Sequence, residues 1–175
     1  MTRRLMSETK KELRRRLEAL GFKKGNRDGV YRCDFDSERI MYVMCRPRVR
    51  SGYILLDPLI AIENLRLRRL IGEDEPRQAE PRIAHVFLSY TIDPPHIFWA
   101  FSNTQDMRKS IDGIENALRI GGVPFAQRWT PFRQAVDLIR RGFSQKDLPQ
   151  GVVTHPTRDC RTIIDSLPET ADPIH

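Results

Sequence analysis

The residues in this chain best suited to chemistry are carboxylates and histidines on short β-like runs. Asp34-Phe35-Asp36-Ser37-Glu38 sets three carboxylates within five residues, and hard cations such as Mg²⁺ are held by such groups. Asp34 and Asp36 alternate with Cys33 and Phe35, however, which is the pattern of a strand with one solvated face. The carboxylates therefore read as that face. His85 is in phase with Phe87 and Ser89. As a general acid or base it needs a second positioned group, so a nuclease or hydrolase centred on His85 would draw on His96 or the strand carboxylates. A half-buried histidine satisfied by its strand neighbours is the simpler reading. His155 and His175 fall in an aperiodic tail. Cys33 and Cys45 lie on successive apolar runs, where they are expected to face each other as inert thiols. Cys160 stands among Arg158, Asp159 and Arg161 with no histidine in sequence reach. Gly121-Gly122 lacks the preceding strand and third glycine of a dinucleotide loop. No catalytic residue, cofactor or metal ligand is assigned.

Basic residues form three patches. Arg46, Arg48 and Arg50 fall on the loop Arg46–Gly52, flanked by Tyr42 and Tyr53. Arg66, Arg68 and Arg69 share a short helical stretch, and Lys10, Lys11, Arg14, Arg15 and Arg16 coat an N-terminal helix. The formal net charge is +7, which suits nucleic acid or an acidic partner. Arginines outnumber lysines 24 to 6. That is the bias of a GC-rich genome, and also the residue suited to planar recognition of carboxylate or phosphate. Interleaved cations and aromatics can hold single-stranded nucleic acid, but the chain has no RNP aromatic motif, GXXG loop or zinc finger. Arg and Tyr are equally favoured as anchors of protein interfaces.

The elements that must position these side chains follow from periodicity. Thr9-Lys10-Lys11-Glu12 fits a capping box, with Ser7 as an alternative cap. Leu13, Leu17 and Leu20 repeat at helical spacing up to Gly21. Gly25–Gly29 is turn chemistry. Strands are expected over Tyr31–Phe35, Ile40–Cys45, Tyr53–Ile62, Ile83–Tyr90 and Ile97–Phe101, the third marked by Pro58 as bulged or at an edge. A short helix is expected over Glu63–Ile71, stopped by Gly72. Glu73–Arg82 is polar, with Pro76 and Pro81, and reads as a mobile loop. Asn103 or Thr104 caps a helix carrying Met107, Ile111, Ile114 and Leu118, ended by Gly121-Gly122. Thr130-Pro131 opens another, with Phe132, Ala135, Val136 and Ile139 as its stripe and Gly142 as its end. The order predicts an α+β fold, an antiparallel sheet of about five strands with helices packed on one face. Residues 1–144 form the domain. Residues 145–175 form an irregular segment that docks on it through Ile163, Ile164 and Leu167 or stays partly disordered.

Length bounds the chain to one domain: 175 residues suffice for one substantial core. No apolar run approaches the ~20 residues of a membrane span, and no apolar h-region follows Met1-Thr2-Arg3-Arg4. With three cysteines and no C-x-x-C, a cytoplasmic protein without membrane attachment is expected.

Leu20-Gly21-Phe22-Lys23-Lys24, followed by Gly25-Asn26 and Val30-Tyr31-Arg32, resembles the opening of the bacterial domain-of-unknown-function family numbered 4304. Val123-Pro124-Phe125 before Thr130-Pro131 is similar to its tail, whereas Arg46–Pro95 departs from it. The resemblance implies an α+β bacterial protein without assigned catalysis, whose relatives include immunity proteins encoded beside polymorphic or contact-dependent toxins. The expected function is therefore a non-enzymatic protein-binding module that neutralises a cognate toxin. A nucleic-acid-binding accessory protein is the alternative, and a His85-centred nuclease the weaker one. The expected partner surface comprises Arg46, Arg48, Arg50, Tyr53, Arg66 and Arg69, together with the acidic Glu73, Asp74 and Glu75. A basic chain needs an acidic partner, or a local acidic cluster in which Asp34, Asp36 and Glu38 join Glu73–Glu75.

Overall fold

The structure is a computed structural model that describes residues 2–71, 83–93, 99–144, 147–154 and 160–167. In chain order the elements are α1 (Thr2–Ala19), β1 (Lys23–Lys24), β2 (Val30–Asp34), β3 (Arg39–Met44), β4 (Arg48–Arg50), β5 (Tyr53–Leu56), β6 (Leu59–Asn64), α2 (Leu65–Leu70) and β7 (Ala84–Phe87). There follow β8 (Trp99–Phe101), α3 (Thr104–Ala117), α4 (Val123–Trp129), α5 (Phe132–Ser144), β9 (Val153–Thr154) and α6 (Cys160–Ser166). The fold is α+β. Among the described residues the strands form two antiparallel sheets, one of six strands in the order β1-β2-β3-β6-β7-β9 and one of three in the order β4-β5-β8.

Two sequence expectations change at the centre. Residues Arg46–Gly52 are not a loop, and Tyr53–Ile62 is not one strand. They are parts of a single long hairpin that bends between the sheets. Arg50 pairs with Tyr53 and Arg48 with Leu55 in the small sheet. Met44 pairs with Leu59 and Arg39 with Asn64 in the large one. Three residues on each strand, Cys45–Pro47 and Leu56–Pro58, separate the two sets of pairs. No residue is inserted, so there is no bulge, and the alternation of faces runs through the bend. Pro58 marks the bend rather than an edge, since β6 is central. Its carbonyl accepts from the Leu88 amide at 2.8 Å. Ser51 and Gly52, with φ of 50° and 84°, close the hairpin as a two-residue turn of the type that matches strand twist.

The helices cover one face of the large sheet. Tyr31, Met41, Val43, Ile60, Ile62, Ala84 and Val86 point into a core shared with Leu13, Leu17, Ile111, Ile114, Leu118, Trp129, Ala135 and Ile139. Helix α1 starts earlier than a cap at Ser7 or Thr9 requires. Thr9 is buried in mid-helix and donates its hydroxyl to the Leu5 carbonyl at 2.7 Å, extending the buried stripe to Leu5, Thr9, Leu13 and Leu17. Gly21 stops the helix at φ 88°. The Phe22 amide bonds to the Leu17 carbonyl and the Gly21 amide to that of Glu18, a Schellman pair. Asn103 caps α3, accepting from the Asp106 amide at 2.9 Å.

Gly121-Gly122 do not end a helix. They lie in a π turn, Leu118–Gly122, that runs into α4. A Cβ at Gly121 would collide with the Thr91 carbonyl oxygen, and one at Gly122 would lie 3.0 Å from Leu88. These glycines therefore admit the 3₁₀ turn Leu88–Thr91 against the helix. Gly142 is likewise inside α5, where a Cβ would strike Thr154 of β9. Thr130 is not the cap of α5; its hydroxyl donates back to the Ala126 carbonyl at 2.7 Å. Within 145–175, β9 pairs with β7, and Arg140 donates to the Ile164 and Leu167 carbonyls at 2.9 and 2.5 Å. No helix among the described residues is long and apolar enough to cross a membrane.

Leu17 is 2% exposed at the contact between α1 and the core. Leu17→Ala is expected to cost about 2–4 kcal/mol in denaturant unfolding, from lost transfer energy and the residual cavity. A loss below about 0.5 kcal/mol would mean that α1 does not pack on the sheet.

The same helix carries a charge network. Arg16 bridges Glu12, Asp112 of α3 and Glu115 at 3.0, 2.7 and 2.8 Å. The hydrogen bond from Arg15, with Arg16 beside it, holds the Glu12 carboxyl down at about 2 against an ordinary 4.5. A depressed folded-state value stabilises above the unfolded value and is lost as pH falls through the folded one. Stability is therefore expected to decline from about pH 4.5 toward pH 2, and Glu12→Gln to flatten that limb of a melting-temperature profile. An unchanged acid limb in that variant would show that the Arg15–Glu12–Arg16 cluster contributes nothing.

Candidate functional site: an arginine-walled groove

The face of the large sheet away from the helices is ordered in rows. At one end Val30, Met44, Leu59 and Phe87 stand opposite one another on β2, β3, β6 and β7. They make an apolar stripe about 14 Å long at ~4.8 Å per strand. The next row is Arg32, Tyr42, Ala61, His85 and Val153, and the third is Asp34, Ile40 and Glu63.

Beyond the stripe the bent hairpin continues the same face upward. Even positions 44, 46, 48 and 50 on one strand give Met44, Arg46, Arg48 and Arg50. Odd positions on the other give Leu59, Asp57, Leu55 and Tyr53. All eight line one groove of about 920 Å³, with Arg27, Val30, Ser51, His85, Phe87 and Ala100. Consecutive arginines in this row are separated by two residues, or about 6.6 Å along an extended strand. Arg46, Arg48, Arg50, Tyr53 and Phe87 are exposed; Met44, Leu55, Leu59 and His85 are half-buried.

Charge in the groove is one-sided: among the described residues that line it, four are arginines and one, Asp57, is a carboxylate. Arg46 donates to the Asp28 carbonyl at 2.9 Å, which fixes its stem. The side chains of Arg27, Arg48 and Arg50 have no hydrogen bond or ion pair among the described residues. Asp57 is exposed, yet partial desolvation raises its carboxyl above the ordinary value, opposed by the charge of Arg48. Like charges gathered in one concavity focus a positive potential that draws anions.

The other sequence candidates do not join this site. Five of the cations of α1 are spent in ion pairs: Arg4–Glu8, Lys10–Asp28, Arg14–Glu18, Arg15–Glu12 and the Arg16 network. Arg66 and Arg69 belong to α2, which starts at the far end of β6. Arg66 stacks on Phe132 at 4.6 Å, and Arg69 pairs with Glu38 at 3.4 Å. Glu73, Asp74, Glu75, His96, His155 and His175 lie outside the described residues, as does the Cys160 side chain.

The strand carboxylates hold local structure. Asp34 pairs with Arg32 at 2.5 Å. Asp36 accepts from the Glu38 and Arg39 amides at 2.9 and 2.8 Å, and those bonds lower its carboxyl. His85 and Asp34 are three strands apart in the sheet order, about 14 Å, too far for a catalytic dyad. Cys33 stands opposite Met41 and the Cys45 amide bonds to Gly29, so the two cysteines occupy opposite ends of the β2–β3 pair instead of facing each other. Both are free thiols. Burial pushes Cys45 up to about 12 and raises Cys33.

One polar cluster was not foreseen. Glu63 is 4% exposed and accepts from the Tyr42 hydroxyl at 2.8 Å and from Arg68 at 2.9 Å. Burial, then the charge of Glu63, raises the Tyr42 phenol well above its ordinary value. This cluster ties β3, β6 and α2 together. Among the described residues no group of three or more His, Cys, Asp or Glu is placed to hold a metal ion.

The two kinds of arginine should respond differently to charge reversal. Arg48→Glu with Arg50→Glu removes no side-chain hydrogen bond or ion pair, only the exposed charge of Arg48 near Asp57, and is expected to change stability by less than about 0.5 kcal/mol. Arg16→Glu sets a fourth carboxylate among Glu12, Asp112 and Glu115 and is expected to cost about 1–2 kcal/mol. Equal losses in urea denaturation would show that the groove arginines are structural. Compared with protein-family models, curated proteins and solved structures, the chain matches none of them.

Proposed function

We propose that this protein is a non-catalytic binding module that captures an acidic protein partner in the arginine-walled groove. The observation that carries the reading is the contrast among its arginines. Arg4, Arg14, Arg15 and Arg16 of α1 are neutralised within the fold, whereas the side chains of Arg27, Arg48 and Arg50 make no ion pair among the described residues and stand beside an apolar floor. Clustering these charges repels in the free protein, and an anionic occupant relieves it. Arg and Tyr beside aliphatic surface have the composition of an interface anchor.

A toxin, bound and masked by an immunity protein, is the form of partner that the resemblance to the 4304 family suggests, and the basic groove is what calls for an acidic one. Such a module acts by occupancy, so it needs a rigid scaffold and complementary potential but no reacting group.

The test is co-expression with the product of the adjacent gene, followed by capture of one on the other. The triple variant Arg46, Arg48, Arg50→Glu is expected to melt within about 3 °C of the parent. It is expected to lose about 100-fold or more in affinity and, for a toxic partner, to lose protection of growth. A triple variant that is stable and captures the partner normally would place the interface elsewhere.

A further inference from the structure

The groove has a repeat, and the repeat constrains what fits. Arg46, Arg48 and Arg50 project from one strand at alternate positions. The facing strand offers Tyr53, Leu55, Asp57 and Leu59, with Phe87 beyond Leu59. An extended chain repeats its side chains on each side every ~6.6–7 Å, the period of the arginine row. A chain laid along the hairpin thus presents one set of alternate side chains to the arginines and the other set to Leu55, Leu59 and Phe87.

We propose that the occupant is an extended peptide segment of the partner in which acidic and apolar residues alternate, carboxylates toward Arg46, Arg48 and Arg50 and apolar side chains toward Leu55, Leu59 and Phe87. The inference rests on the reading of the groove as a protein-binding site and adds the sequence pattern of the bound segment. Asp57 sharpens the pattern. It stands on the apolar side of the groove, opposite Arg46 in the hairpin register, and repels a carboxylate placed there. An acidic run without alternation must set half its charges against that side.

The floor favours peptide over nucleic acid. Sheets that bind single strands stack bases on aromatic rings of their central strands. Here β3 and β6 present Met44 and Leu59 to the groove, and the rings of Tyr53, beside the hairpin turn, and Phe87, beyond Leu59, stand at opposite ends rather than as a stacking platform. Aliphatic side chains bury aliphatic partners, and the arginines supply charge-assisted bonds in a planar fork that suits carboxylate.

The test uses three fluorescent probes on the full chain, read by polarisation: Glu-Val-Glu-Leu-Glu-Val-Glu, the same residues as a block, Glu-Glu-Glu-Glu-Val-Leu-Val, and a single-stranded oligothymidylate of equal charge. The alternating peptide is expected to bind about tenfold or more tighter than the block, and Arg48→Glu to weaken it about tenfold or more. Asp57→Asn is expected to narrow the gap between the two peptides, mainly by improving the block. If both peptides bind alike and both are lost in Arg48→Glu, the groove reading stands and the alternation is wrong. If the oligothymidylate binds tighter than either peptide, the occupant is a nucleic acid. If no peptide binds below about 1 mM, the proposal is overturned.

Discussion

The register of one bent hairpin governs this molecule. From Arg39 to Asn64 two antiparallel strands keep a constant pairing across a change of sheet. The Leu65 amide continues it by bonding to the Glu38 carbonyl at 2.8 Å. In the lower half the hairpin supplies the central strands on which β2 and β7 build the large sheet, and in the upper half it carries β8. Because alternation survives the bend, one face stays apolar from Met41 through Val43, Cys45, Ile54 and Leu56 to Ile60 and Ile62, all buried. The opposite face turns from aliphatic to cationic along its length. A single inserted residue in Cys45–Pro47 would send Arg48 and Arg50 toward the core side and Val49 into the groove.

Charge is divided between structure and display by geometry. Helical spacing places Arg4, Arg14 and Arg16 of α1 four residues from a glutamate of the same helix, so these cations are consumed locally. Along this strand of the hairpin the residues between the arginines are Pro47 and Val49, and the strand opposite brings Tyr53 and Leu55, so Arg48 and Arg50 form no ion pair within the hairpin and only the charge of Arg48 reaches Asp57. The same economy appears in reverse at Glu63, where burial of a carboxylate is offset by Tyr42 and Arg68. Removing one partner there would strand a charge in the interior.

Helices were legible in the sequence where an apolar stripe and a cap coincide, as in α3 with Asn103, Met107, Ile111 and Ile114. The sheet topology was only partly legible. Arg46, Arg48 and Arg50 carry a period of two, the signal of one strand face. Pro47 and Ser51-Gly52 outweighed it, because turn residues also occur at bends and tight hairpins. Pro58 posed the same ambiguity. Gly121, Gly122 and Gly142 resembled helix stops but are contact glycines, and what they admit, Thr91, Leu88 and Thr154, comes from distant segments. The apolar stripe Val30–Met44–Leu59–Phe87 has no linear signature at all, since its members meet only through register. For the same reason the basic coat of α1 looked available until α3 brought Asp112 and Glu115 to Arg16.

The central claim is that one uninterrupted register carries the arginines and the aliphatic floor onto a single face. Nuclear Overhauser contacts between α-protons across the hairpin test it directly, because only non-hydrogen-bonded antiparallel pairs bring α-protons close. The account predicts strong contacts for Val49 with Ile54 in the small sheet and for Val43 with Ile60 in the large one. Contacts shifted by one residue in either half, with the other half unchanged, would place Arg48 and Leu59 on opposite faces and contradict it.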